Sequence, residues 1–261
     1  MTAGWRERYE KAIPIAKKAG QLALSYFVKP LEVITKTDLS PVTIADKNTE
    51  RLLRELILAE FPGDGVLGEE EGDTPNTTGY RWILDPIDGT RNFVRGVPSW
   101  GVLVGLEYKG ELIAGVVDAP VLGHTYHALR GHGAYRNDHK IHVSAIGDLS
   151  KSFVFYSSLQ WFAKAGREQG FLELVRRTDR QRGFGDWYGF MLMAQGSGEV
   201  MVEHGVHAWD IAALQPIVVE AGGTFTNWDG EFDLHSPDVI ASNGLIHDEV
   251  LRLVAGTRGV K

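Results

Sequence analysis

The run Arg81-Trp82-Ile83-Leu84 leads straight into two carboxylates, in Asp85-Pro86-Ile87-Asp88-Gly89-Thr90. A short strand of this composition belongs inside a folded chain, yet it must end where two acids can be satisfied. One solution is a polar turn in which Asp88 caps the next segment. The other is a cation. Magnesium takes oxygen ligands in near-octahedral geometry and keeps several waters. Pro86 restricts the backbone so that the Ile87 carbonyl can be aimed between the acids. Two carboxylates, that carbonyl and water would complete such a shell. Gly89 allows a phosphate close to the backbone, and Thr90 adds a hydroxyl donor. An aspartyl-phosphate phosphatase would carry its nucleophile and acid at the two-residue strand period; the spacing here is longer.

Three further acidic segments could join this turn. Gly68-Glu69-Glu70-Glu71-Gly72 follows the strand-like Val66-Leu67. It reads as a solvated loop or as one that delivers Glu69 to the same cation. Asp210, in Trp209-Asp210-Ile211-Ala212-Ala213, reads as a helix-capping acid or as a carboxylate at the floor of a cleft. Asp46 ends the stretch that begins at Lys36-Thr37-Asp38-Leu39-Ser40-Pro41-Val42-Thr43. In the first turn of a helix it complements the dipole. Its chemical role would be to take a proton, through Thr90, from an attacking water.

The rest of the chain bounds these readings. With 261 residues, 43% of them hydrophobic, it can bury one large domain or two packed halves. A formal net charge of -7 disfavours nucleic acid and anionic membranes as partners but not a small anion bound locally. There is no cysteine, which excludes disulfides, thiolate chemistry and cysteine–zinc sites. No apolar signal core or bilayer-length stretch is apparent, so a soluble, cytoplasmic protein is expected. Helices are predicted over 5–27 (with a kink or late start at Pro14), 43–61, 171–177, 186–195 and 209–221, with a last one after Asn243-Gly244. Leu52, Leu53, Leu56 and Ile57 would form the apolar face of the second, and Pro62-Gly63 would stop it. Strands are predicted over 102–106, 112–117, 125–129, 153–156, 200–203, 224–226 and 239–241. The alternation is not strictly βαβ, which suggests layered sheets and helices.

Taken together, the acidic segments resemble the inositol-monophosphatase family. The likeness runs in order through the Lys36–Asp46 segment, Gly68-Glu69-Glu70, Trp82 to Thr90, Trp209 to Ala213 and Glu220-Ala221-Gly222-Gly223. It implies an α/β (α+β) fold, an αβαβα layered sandwich forming one domain over 1–261. That domain would have a metal-binding half, 1–145, and a substrate half, 146–261. The implied activity is a magnesium-dependent, lithium-sensitive phosphatase using two or three ions. The implied metal ligands are Glu69, Asp85, the Ile87 carbonyl, Asp88 and Asp210. Asp46, Thr90 and Glu69 would activate water, and a homodimer is implied. Gly185-Asp186-Trp187-Tyr188-Gly189, with Arg95-Gly96-Val97-Pro98, is similar to the histidinol-phosphatase branch. There Asp186 or Glu203 would suit the cationic end of the substrate, and Arg182 would reach phosphate or orient the acids. Asp88, Gly89, Thr90, Arg91, Gly185 and Asp210 would complete the substrate contacts. Asp186 could instead be a helix N-cap. Inositol or sugar phosphates are the alternative substrates, and a silent metal-binding regulator is the alternative class. His204, His207 and Trp228 are left out of the metal shell.

Overall fold

The computed structural model describes residues 3–29, 33–35 and 41–255; Lys36 to Ser40 lie outside them. The chain forms two compact units. The first comprises Met1–His139 and Trp209–Ile217, the second Lys140–Ala208 and Val218–Lys261. Trp209–Ile217, expected in the second half, thus belongs to the first unit, and Asp210 goes with it.

The first unit opens with helix α1 (Ala3–Tyr26) and a short pair, β1 (Ile34–Thr35) and β2 (Pro41–Val42). Helix α2 (Ile44–Glu60) follows. The strands are then β3 (Gly65–Gly68), β4 (Gly72–Thr74) and β5 (Tyr80–Asp88). After the short helix α3 (Thr90–Val94) come β6 (Gly101–Tyr108), β7 (Glu111–Ala119), β8 (His124–Leu129) and β9 (Ala134–Arg136), and then β10 (His139–Ile141), at whose first residue this part of the unit ends. The sheet order is β10-β9-β8-β7-β6-β5-β3-β4, with β3 parallel to β5.

Helix α1 runs from Ala3 through Pro14 to Tyr26, so there is no late start. Proline removes an N–H and crowds the carbonyl four residues earlier. Pro14 and Glu10 both face solvent, where that carbonyl can be hydrated. Ala12, Ala16 and Ala19 lie on the opposite, buried side. They pack with Leu53 and Ile57 of α2 against Trp82, Leu84, Val102 and Val104 of the sheet. Each large buried side chain contributes about 1.5–3 kcal/mol.

The buried stripe of α2 keeps only Leu53 and Ile57 of the expected apolar face. Leu52 and Leu56 are only half-buried. The stripe runs Ala45, Asp46, Thr49, Glu50, Leu53, Arg54, Ile57, so two acids and an arginine share the core side of this helix. On the other face of the sheet, Gly105 and Gly115 admit the returning segment. A Cβ on either would overlap Ala212 or Ala213.

Asp118, on β7, is a further buried acid. Thr125 donates to its Oδ1 at 2.8 Å, and a Cβ on Gly20 of α1 would strike its carboxylate. Burial pushes its pKa up to about 6, only partly offset by Thr125 and Lys17. A folded-state pKa above the unfolded value means the stabilising protonated form is lost as pH rises through the folded pKa. Asp118→Asn is therefore expected to match the native protein in thermal denaturation near pH 4. At pH 7.5 it should be more stable, by up to roughly 3 kcal/mol. Equal stability of the two proteins at pH 7.5 would contradict this.

The second unit contains β11 (Phe153–Tyr156), α4 (Leu159–Lys164), α5 (Glu168–Arg177), β12 (Arg180–Arg182), α6 (Asp186–Ala194) and β13 (Val200–His204). After α7 (Ala208–Ile211) and α8 (Leu214–Glu220), it continues with β14 (Thr224–Thr226), β15 (Asp238–Ser242) and α9 (His247–Val254). The sheet order is β12-β11-β13-β15-β14. Strand β11 is parallel to β12 and β13, whereas β15 is antiparallel to both of its neighbours. Phe162, Phe171, Leu174 and Val250 pack on Val154, Val200, Val202 and Ile240. Both units are thus helices layered on sheets, as expected for the α/β class. Among the described residues, no helix is long and apolar enough to cross a membrane.

The single helix expected over 209–221 is two helices, α7 and α8. Pro216 explains the break. It offers no N–H to the Ala212 carbonyl and would collide with it in a continuous helix. The helix therefore interrupts at Ala212-Ala213, where the backbone lies against Gly105 and Gly115.

Candidate metal centre

Residues three apart on a regular strand point to opposite faces. Strand β5 avoids this with an irregularity. Asp85 pairs with Leu103 but Asp88 with Gly101, so β5 spends one residue more than β6 between those pairs. Pro86, which cannot donate to the ladder, sits inside this bulge. The extra residue turns Asp85 and Asp88 toward the same place. The Ile87 N–H donates to Asp85 Oδ1 at 3.0 Å, fixing the carboxylate. Gly89 then takes a left-handed conformation, φ 87°, that begins α3.

Asp210, in the first turn of α7, meets this bulge. One oxygen from each of Asp85, Asp88 and Asp210 lies within 4.8 Å of the other two. Asp85 and Asp88 are buried. Burial and then the charges of Glu69, Asp88, Asp210 and Asp46, in that order, push the Asp85 pKa well above the usual carboxylate range. Anions held this close repel one another until a cation joins them. The donor set is entirely oxygen, which suits a hard divalent ion. Glu69 follows β3, with its N–H donating to the Leu84 carbonyl at 3.3 Å. It stands outside the tight group of three but is first among the charges acting on Asp85.

The two oxygens of the Asp46 carboxylate have different partners. Oδ2 accepts from the Thr43 N–H at 2.8 Å and the Thr43 hydroxyl at 2.7 Å, a capping box at the start of α2. Oδ1 faces the Thr90 hydroxyl at 3.4 Å. That hydroxyl also lies 3.0 Å from the Ile87 carbonyl, so its proton has two acceptors. Arg91 is exposed on α3.

The remaining sequence-derived site residues lie in the second unit. Arg182 is exposed on β12; it donates to the Gln181 carbonyl at 2.8 Å and lies over the Phe153 ring. Gly185 is the N-cap of α6 and makes no side-chain cap. Asp186 is the first helical residue, so it is not the N-cap, and it holds φ 55°. An aspartate tolerates that region better than most residues, but at some strain. Glu203 is buried on β13. His204 packs its ring 5.2 Å from Trp228, consistent with a structural role.

Sequence reasoning missed Thr43 and Glu50. The Thr-x-x-Asp spacing of a capping box was a signal for the first. Glu50 and Arg54, one turn apart, look on paper like any exposed helix ion pair. Both are buried.

A model of the inositol monophosphatase family matches residues 5–257. The chain is 42% identical to a histidinol-phosphatase of Mycobacterium tuberculosis, over 94% of this chain and 97% of the relative. It is 44% identical to a histidinol-phosphatase of Streptomyces coelicolor, over 85% and 86%. Its fold is similar to that of the Thermotoga maritima IMPase, with a TM-score of 0.87 and 33% identity over 95% and 96% of the two chains.

Proposed function

We propose, from the premise that the chain belongs to the inositol monophosphatase family and is a metal-dependent phosphoric monoester hydrolase, that it hydrolyses histidinol phosphate with magnesium. The observation that carries the hydrolytic site is the convergence of the Asp85, Asp88 and Asp210 carboxylates beside the Thr90–Asp46 pair. Ligands are proposed to be those three, Glu69 and the Ile87 carbonyl, holding two or three Mg2+ ions that Li+ would displace. Such ions polarise phosphoryl oxygens and lower the pKa of water.

The chain's own residues do the rest. Asp46, anchored through Oδ2, turns Oδ1 to the Thr90 hydroxyl, which would pass it a proton. Gly89 and Thr90 leave room for the phosphate beside the bulge, with Arg91 nearby in sequence. For the cationic end of the substrate, Asp186 and Glu203 are proposed, with Arg182 and Gly185. The support is the Gly-Asp-x-Tyr-Gly sequence and the names of the relatives. A cytoplasmic homodimer belongs to the same proposal.

Purified protein with magnesium should release phosphate from histidinol phosphate far faster than from inositol 1-phosphate. Asp186→Ala should narrow that preference by about 10-fold or more, as expected for a lost charge-assisted contact. Efficient inositol-phosphate turnover with none on histidinol phosphate would defeat the substrate assignment. It would favour the breadth named for the Thermotoga maritima fructose-1,6-bisphosphatase/inositol-1-monophosphatase, 34% identical.

A further inference from the structure

The loop that carries Glu69 is held by another acid. The Glu50 side chain, on α2, is fully buried. Its Oε2 accepts the Glu70 N–H at 2.7 Å, and its Oε1 accepts the Glu71 N–H at 3.0 Å. Arg54 Nε donates to the same Oε1 at 2.9 Å and so neutralises the buried charge. The same guanidinium reaches the Gly72 carbonyl at the far end of the loop. Gly68 sits so close beneath Glu50 that a Cβ there would overlap the carboxylate. Backbone N–H groups of residues 70 and 71 thus close on one carboxylate, from a segment outside any ladder pairing to β5.

We propose that Glu50 is a positioning residue: through the Glu70 and Glu71 amides it fixes the backbone on which Glu69 faces the Asp85–Asp88–Asp210 cluster. Acids gathered without a cation repel one another, and Glu69 is carried on a turn whose N–H meets the Leu84 carbonyl beside Asp85 at 3.3 Å, where that repulsion would displace it. A carboxylate accepting two amides and an arginine resists that displacement at a site already desolvated. Asp46 and Glu50 stand one turn apart on the same buried stripe of α2. One helix therefore orients both the water-activating acid and the Glu69 loop. This rests on reading Glu69 as a metal ligand.

The test separates the two ideas. Amide hydrogen exchange in the metal-free native protein should show residues 70 and 71 exchanging far more slowly than the unfolded-chain rate. Exchange of those two amides at the unfolded-chain rate would overturn the proposal without any variant. Glu50→Gln should open them to exchange by 10-fold or more. It should also weaken Mn2+ binding, read by calorimetry, by about 10–100-fold, the size typical of an outer-shell partner. Glu69→Gln alone should weaken it at least as much, and the double variant should be no weaker than Glu69→Gln. Turnover of Glu50→Gln at saturating metal should recover to within a few-fold of native. Additive losses in the double variant would show that Glu50 does not act through Glu69 and would sink the proposal. Unaltered Mn2+ binding by Glu69→Gln would instead remove Glu69 from the metal shell, leaving the amide tether as a purely structural clasp.

Discussion

Asp85→Asn is expected to lose metal binding and turnover together, turnover by on the order of 10^3-fold or more, because it takes one negative charge from the proposed magnesium ligands. Asparagine keeps the size and one acceptor oxygen of aspartate, so the Ile87 N–H retains its partner. The loss would therefore report charge rather than packing. A second consequence separates the two further. Asp85 is the buried acid on which Glu69, Asp88, Asp210 and Asp46 all act unfavourably. Without metal, the variant should be no less stable than the native protein at pH 7.5, and added magnesium should stabilise the native protein alone. Calorimetric titration with Mg2+ and thermal denaturation with and without it supply both readings. Undiminished turnover by the variant would mean the metal centre has been assigned to the wrong residues.

Thr90→Ala is expected to behave differently, with kcat falling by about 10^2–10^4-fold, the range of general acid–base assistance, while KM stays within a few-fold. The hydroxyl is poised between the Ile87 carbonyl at 3.0 Å and Asp46 Oδ1 at 3.4 Å. The contact with Asp46 is long for a hydrogen bond, as is common before substrate tightens a site. Thr90→Ser should restore much of the rate, since it returns the hydroxyl and omits only a methyl. Asp46→Asn should cost a similar factor, and combining it with Thr90→Ala should add little if the two act as a relay. Steady-state kinetics at saturating magnesium decide this. Unchanged kcat in Thr90→Ala would take the hydroxyl out of the mechanism.

Much of the local structure could be read from the residues. Trp82 to Leu84 form the buried strand their composition predicts, and α2 ends at Glu60, within a residue of the expected end. Residues whose surroundings are close in sequence were the legible ones. Illegible features depended on distant packing. Leu52 and Leu56 lost the core side of α2 to Asp46, Glu50 and Arg54, because a periodicity cannot say that a charged stripe has buried partners waiting for it. The break at Ala212-Ala213 was signalled by Pro216, but its place against Gly105 and Gly115 needed the fold. The bulge at Pro86 is the most instructive case. A spacing of three was readable as a metal motif, yet only the register against β6 explains how both acids reach one side of the strand.

The proposed hydrolytic site requires carboxylates from β5 and α7 to gather around divalent ions. Crystals grown with Mn2+ and measured near the manganese absorption edge test this most directly. The expected result is at least one anomalous peak about 2.2 Å from an oxygen of each of Asp85, Asp88 and Asp210, at the usual length of a hard-cation bond to oxygen. Peaks confined to other acidic surfaces, with these three side chains bound only to protein or water, would contradict it.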